Sequence, residues 1–164
     1  MNKKEEIDVR DMTIDDLAAV FHLGEKLFTS EFSQSMYRTW DEYEITSLFN
    51  TETELCLVAE LEGEIVGFAL GTTVEKQNSA WKYGYLVWIG VRPGLQKGGA
   101  GQQLFVEIRH RMIEQGVRMI VIDTDADNEG GIKFFKKLGF DKMQQHVYMT
   151  LNLSKPKKPR KARV

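Results

Sequence analysis

The chain has 164 residues, 42% hydrophobic and 28% charged, with a net charge of −2, which is the composition of one soluble domain and too short for two cores of usual size. Its longest apolar run, residues 86–91, falls far short of the roughly 20 residues that cross a bilayer. The charged start Met1-Asn2-Lys3-Lys4-Glu5-Glu6 lacks the apolar stretch of a signal peptide, so a cytoplasmic location with no membrane contact is expected.

The charge is unevenly spread. Residues 155–164 hold six basic side chains and no acidic one, which leaves a body of about −8. An acidic body favours the approach of a cationic amine. The tail has too little apolar surface to offset its ordering entropy and is expected to be disordered, either as a solvated appendage or in contact with nucleic acid. The expected division is a domain over 1–154 and a basic tail over 155–164. Cys56, the single cysteine, lies in the apolar run 55–59, which reads as a small buried hydrophobe rather than a nucleophile. His22, His110 and His146 stand apart from one another and from Cys56, so no metal site is expected.

In chain order, Ile7-Asp8-Val9-Arg10 alternates as a short strand, and Thr13 with Asp16 has capping-box spacing. Leu17, Val20, Phe21, Gly24, Leu27 and Phe28 recur at helical spacing and form one apolar stripe. The stretch 32–49 holds Phe32, Tyr37, Trp40, Tyr43 and Phe49 and reads as a loop plus a second helix, with aromatics that either line a pocket or pack. Two strand-like segments, 55–61 and 64–74, meet at Glu62-Gly63 as a hairpin. Residues 83–91 are apolar almost throughout, as in a strand covered on both faces, and Gly90 suggests a bulge or a close backbone approach. Leu104, Phe105, Ile108 and Met112 define a helix that stops at Gly116, and 119–122 is a short strand. Asn128 caps a helix bearing Ile132, Phe135 and Leu138, and a last β region is expected through Phe140, Val147, Met149, Leu151 and Leu153. The order βααβββαβαββ implies an α+β fold with a mixed, partly parallel central sheet and helices on both faces.

The feature that carries chemistry is the turn Gln96-Lys97-Gly98-Gly99-Ala100-Gly101 between a strand and a helix. Unpaired amides and the helix dipole converge there on one point, which suits an anion, and glycine lets the main chain wrap closely around it. A tight strand-to-helix connection would have the same composition. There is no Gly-Lys-Ser/Thr of a P-loop and no early G-x-G-x-x-G, which argues against an ATPase and a dinucleotide-binding fold.

Residues 91–101, Val-Arg-Pro-Gly-Leu-Gln-Lys-Gly-Gly-Ala-Gly, resemble the signature of the GNAT N-acetyltransferase superfamily, V-x-P followed by Q/R-x-x-G-x-G/A. Residues 128–140, running from Asn128 to Gly139-Phe140, resemble its second element, N-x-x-A-x-x-[FL]-Y-x-x-x-G-F. The pattern is most similar to the protein N-terminal acetyltransferases of the ribosomal-protein-alanine type. The resemblance implies acetyl-CoA as co-substrate, with its pantetheine arm paired along Ile89, Gly90 and Val91 and its pyrophosphate held by Gln96, Lys97, Gly98, Gly99, Ala100, Gly101 and Gln102. It further implies that Asn128 contacts the arm, although a plain helix cap explains the same residue. Tyr85 and Asp123, at the ends of neighbouring strands, resemble the pair that manages a proton through water, and a solvated loop carboxylate is the alternative for Asp123. Where many relatives carry the tyrosine that protonates the departing thiolate, this chain has Phe135, with His146 and Tyr148 as substitutes. The implied reaction is direct attack by a primary amine on the thioester, in a monomer or homodimer. A catalytically silent acyl-CoA-binding module, or a nucleic-acid-associated protein acting through its tail, are the other readings.

Overall fold

A computed structural model describes residues 6–28, 39–149, 151 and 153–154. Five strands form one sheet in chain order: β1 (Asp8–Asp11), β2 (Cys56–Leu61), β3 (Glu64–Glu75), β4 (Lys82–Val91) and β5 (Val117–Val121). The first four pair antiparallel, and β4 pairs with β5 in parallel. A parallel pair requires a crossover, supplied here by α3 (Ala100–Glu114). The remaining helices are α1 (Leu17–Leu27), α2 (Glu42–Thr51) and α4 (Glu129–Lys137).

The expected helices on both faces are present. Leu104, Phe105, Ile108 and Met112 of α3 bury against Leu57, Ala59, Ala69 and Leu86, with Phe135, Leu138 and Phe140 packed alongside. On the opposite face, Val20 and Leu23 of α1 and Ile45 of α2 cover Cys56, Val58, Phe68, Leu70 and Trp88. Strand residues alternate between the faces because the side-chain period is two, and β2 and β3 are apolar on both sides for that reason. Burial pushes the Cys56 thiol up to about 12, so it is protonated and inert at neutral pH, as its sequence context implies.

The hairpin forms as expected, with Glu62 at φ 52° and Gly63 at φ 83°, the pair of positive φ values that match the twist of a two-residue loop. Trp40 packs against Phe28, Phe68 and Trp88 and donates its indole N–H to the Phe21 carbonyl at 2.9 Å, so this aromatic is a packing residue. Phe32 and Tyr37 lie outside the described residues, as do the tail 155–164 and most of the 31–40 loop.

Thr13 and Asp16 join as their spacing implies: the Thr13 amide and hydroxyl both donate to Asp16 Oδ2, at 2.8 and 3.0 Å. Arg10 adds a bidentate contact to the same carboxylate at 2.7 and 3.0 Å. The Arg10 guanidinium holds the Asp16 carboxyl below the usual carboxylate range against the opposing effect of burial. A depressed native pKa stabilises the fold at neutral pH, and that stabilisation is lost as pH falls from the unfolded value of about 4 through the native one. Asp16→Asn is expected to cost about 2 kcal/mol at pH 7 and less at pH 3, which urea unfolding at the two pH values measures.

Of the two readings of Gly90, the close approach holds and the bulge does not: Leu70 pairs with Trp88 and Gly71 with Leu86, leaving Val87 as the extra residue of β4. Gly90 sits in regular register opposite Phe68, and its glycine reflects close packing, since a Cβ there would lie 2.6 Å from the Leu27 side chain. Among the described residues from Phe140 onward the expected last β region shows no strand, and Val147, Met149, Leu151 and Leu153 are exposed there; an alternating segment is held as a strand only where a neighbouring strand pairs with it.

Candidate active site

The β4–β5 ladder joins Lys82 to Val117, Tyr83 to Met119, Gly84 to Ile120 and Tyr85 to Val121, and ends there. Beyond Tyr85, β4 continues to Val91 on its pairing with β3 alone. β5 ends opposite Tyr85, so the β4 backbone around Ile89, Gly90 and Val91 pairs with β3 on one side and lies beyond the end of β5 on the other. A strand edge of this kind takes an extended ligand through main-chain hydrogen bonds.

At the far end of β4 the chain turns through a short 3₁₀ segment, Gln96–Gly98, into α3. Gly99, at φ 86° and ψ −1°, is the left-handed residue at the helix start, a conformation costly for any residue with a Cβ. The Gln103 amide makes the first helical bond, to the Gly99 carbonyl at 3.0 Å. The first-turn amides of Ala100, Gly101 and Gln102 thus precede any intrahelical acceptor and aim past the N-terminus, where the dipole of a 15-residue helix favours negative charge. These are the groups a diphosphate needs, and the residues present fit one. Lys97 and Gln102 are exposed beside the turn. The Gln96 side chain, on an exposed residue, donates from its Nε2 to the Val91 carbonyl at 3.4 Å and so braces the loop. Gly101 is buried: a Cβ there would lie 3.2 Å from the Phe134 ring, so this glycine permits α4 to pack on α3.

Where the ladder ends, the Tyr85 hydroxyl donates to Asp123 Oδ1 at 2.5 Å. Val121 stands opposite Tyr85, and Asp123, two residues on, points to the same side of the extended chain. The bulge at Val87 brings Tyr85 and Trp88 onto one face of the sheet despite their three-residue spacing. Sequence reasoning missed the groups around them. Trp88 donates its indole N–H to Glu44 Oε1 of α2 at 3.0 Å, and Thr72, the cross-strand neighbour of Tyr85, donates to Glu52 Oε1 at 2.7 Å. Three carboxylates, Glu44, Glu52 and Asp123, therefore bond to side chains presented by adjacent positions of β3 and β4. No motif signals them, because the glutamates come from α2 and the residue following it.

Asn128 caps α4, its Oδ1 accepting from the Gly131 amide at 3.0 Å while its Nδ2 donates to Thr124 Oγ1 at 2.8 Å. A carboxamide has two donor hydrogens and two lone pairs, so one of each stays available for a ligand. Phe135 packs edge-on against Phe134 and Phe140, with centroids 5.3 and 5.6 Å away, and belongs to the core on the α3 side. His146 and Tyr148 are exposed, on the segment that shows no strand among the described residues. No group of three or more His, Cys, Asp or Glu side chains that could hold a metal ion occurs among the described residues.

Residues 17–140 match the family model described as the acetyltransferase (GNAT) family. The chain belongs to that family. As a GNAT protein it is an acyltransferase whose chemistry is acetyl transfer to an amine. Among curated proteins it is 28% identical over 137 residues to the acetyltransferase ECA0875 of Pectobacterium atrosepticum, an alignment covering 82% of this chain and 88% of that one. Its fold is similar to that of the aminoglycoside N-acetyltransferase AAC(6')-Iy in complex with CoA, with TM-score 0.74 and 19% identity, over 92% of this chain and 98% of that one. It is also similar to a ribosomal-protein-alanine N-acetyltransferase of Brucella melitensis biovar Abortus 2308, with TM-score 0.70 and 14% identity, over 88% of this chain and 99% of that one. Both likenesses are of fold. No described helix is long and apolar enough to cross a membrane.

Proposed function

We propose that the chain transfers an acetyl group from acetyl-CoA to a primary amine by direct attack, with residues 1–154 as the catalytic domain. The observation that carries this reading is the end of the β4–β5 ladder at Tyr85, with the amide-rich start of α3 at the other end of the β4 stretch beyond the ladder. Acetyl-CoA supplies the activated acetyl group. The amides of Gly99 to Gln102 hold its diphosphate, with Lys97 adding positive charge, and the backbone of Ile89, Gly90 and Val91 aligns the arm and polarises the thioester carbonyl. Asn128 reaches the arm with its remaining donor.

The amine must arrive with a free lone pair, whereas a lysine amine near pKa ~10.4 is mostly protonated at neutral pH and an α-amine near ~7.7–8.0 much less so. Asp123, oriented by the Tyr85 hydroxyl, accepts the proton directly or through water. The neighbouring Glu44 and Glu52 carboxylates attract a cationic acceptor to the same face. Phe135 has no proton to give, so the thiolate, of an ordinary thiol pKa near ~8.5, leaves without help from that helix. Holding amine and thioester together supplies much of the acceleration, and no protein nucleophile takes part.

Incubation with acetyl-CoA and a panel of peptide α-amines, lysine peptides, polyamines and aminoglycosides, followed by free-thiol release, tests this proposal. Turnover on at least one amine is expected. Tight CoA binding with no turnover on any of them would instead make the chain a silent acyl-CoA-binding module.

A further inference from the structure

One face of the sheet is covered over only part of its area. α1 and α2 bury Phe68 and Leu70 of β3 and Trp88 of β4. The same face continues past them, because paired residues, and residues two apart on a strand, point to one side. Thr72, Tyr85 and Val121 form one row across it, and Val74, Tyr83 and Met119 form the next. Val74, Met119 and Val121 are 44, 41 and 44% exposed. Trp81, two residues before Tyr83, extends the patch: its ring lies 6.5 Å from that of Tyr83, and it is 44% exposed. Apolar surface gathered in one patch and rimmed by charge marks a binding surface, whereas single exposed apolar residues do not.

The charge around this patch is polarised. At one end Tyr85 donates to Asp123 and Thr72 to Glu52. At the other the Lys76 ammonium lies over the Tyr83 ring, 5.1 Å from its centroid. A polycation laid along the face would set its second charge beside the Lys76 ammonium. An amine with one cationic head and an apolar body meets the carboxylates with the first and the open rows with the second. Length narrows the class further. Trp81 to Tyr85 is four residue steps, about 13 Å of extended chain, and an extended peptide repeats its same-side residues at the roughly 7 Å spacing of Tyr85, Tyr83 and Trp81.

We propose that this face seats the body of the acceptor, and that the acceptor is a peptide α-amine followed by apolar residues. The amine lies at Asp123, and the first and third side chains lie over Tyr83, Val74, Met119 and Trp81. The amine's placement at Asp123 rests on the acetyl-transfer reading above; the seat for its body rests on the exposed rows. These side chains touch no reacting atom, so they act on KM rather than on kcat.

Two hexapeptides of equal net charge, one with leucine at positions 1 and 3 and one with serine there, are compared with spermidine as acceptors. The leucine peptide is expected to exceed both others in kcat/KM at least tenfold. Trp81→Ser combined with Met119→Thr is expected to raise KM for the leucine peptide at least tenfold with kcat within twofold, while CoA calorimetry reports an intact fold. Anisotropy of the leucine peptide, labelled at its C-terminus and titrated with protein in the presence of CoA, needs no turnover and should show the same loss of affinity. Peptide binding that depends on Trp81 and Met119 without turnover on any amine would overturn acetyl transfer and leave the seat standing. Turnover that prefers spermidine or the serine peptide overturns the seat and leaves acetyl transfer standing. So does a KM and an affinity indifferent to the double substitution, and a leucine peptide that neither binds nor reacts overturns the seat as well.

Discussion

Replacing Gly99 by valine is expected to weaken CoA binding about 100-fold, through the loss of roughly two charge-assisted amide contacts to the diphosphate. The position has no steric neighbour, since a Cβ there would meet nothing within 4 Å. The penalty therefore comes from the backbone: φ of 86° is accessible to glycine and costs a β-branched residue about 1–3 kcal/mol. The chain relieves that strain by rotating Gly99, and the rotation misaims the amides of Ala100, Gly101 and Gln102. Titration calorimetry with CoA measures the effect, and thermal melting of the variant checks that α3 still packs. Gly101→Val is the contrasting control. Its side chain would press on the Phe134 ring, so it should lower the melting temperature by several degrees before any effect on binding is considered. A Gly99→Val protein that binds CoA within twofold of wild type would rule out this turn as the diphosphate site.

Asp123→Asn is expected to lower kcat/KM about 100-fold, the usual size of a general-base contribution, with CoA affinity unchanged because Asp123 lies at the opposite end from Gly99 of the β4 stretch beyond the ladder. Tyr85→Phe removes the hydroxyl that donates to Asp123 and should lower the rate about tenfold. Since the two act as one unit, the double variant should lose little more than Asp123→Asn alone, rather than the product of the two losses. Wild-type kcat in Asp123→Asn would falsify the assignment of Asp123 as base. Additive losses would mean that Tyr85 acts on the substrate by itself.

Much of the fold was readable because its signals are local. The hairpin at Glu62-Gly63, the Thr13 and Asp16 cap and the Asn128 cap each depend on residues within four positions of one another, and all three appear in the structure. The Val87 bulge was not readable, because nothing in the apolar run 83–91 marks which residue β3 leaves unpaired. Gly90 attracted that reading through its composition, while its actual constraint is the Leu27 side chain, 63 positions earlier in the chain. The expected last strand is not seen among the described residues: its alternation is genuine, but a strand is a property of two partners, and alternation along one segment does not say which neighbour pairs with it.

By itself the sequence determined the turn proposed to hold the diphosphate, because the stretch from Gln96 to Gly101 and the helix that follows are contiguous, and their amides converge through local backbone geometry alone. The tertiary structure decided the side proposed for the acceptor. Tyr85 meets Asp123 across 38 positions, Trp88 meets Glu44 across 44, and Thr72 meets Glu52 across 20. Those meetings depend on where the β4–β5 ladder ends and on how α2 lies over the sheet, which is set by packing of distant apolar faces and leaves no mark at fixed spacing along the chain.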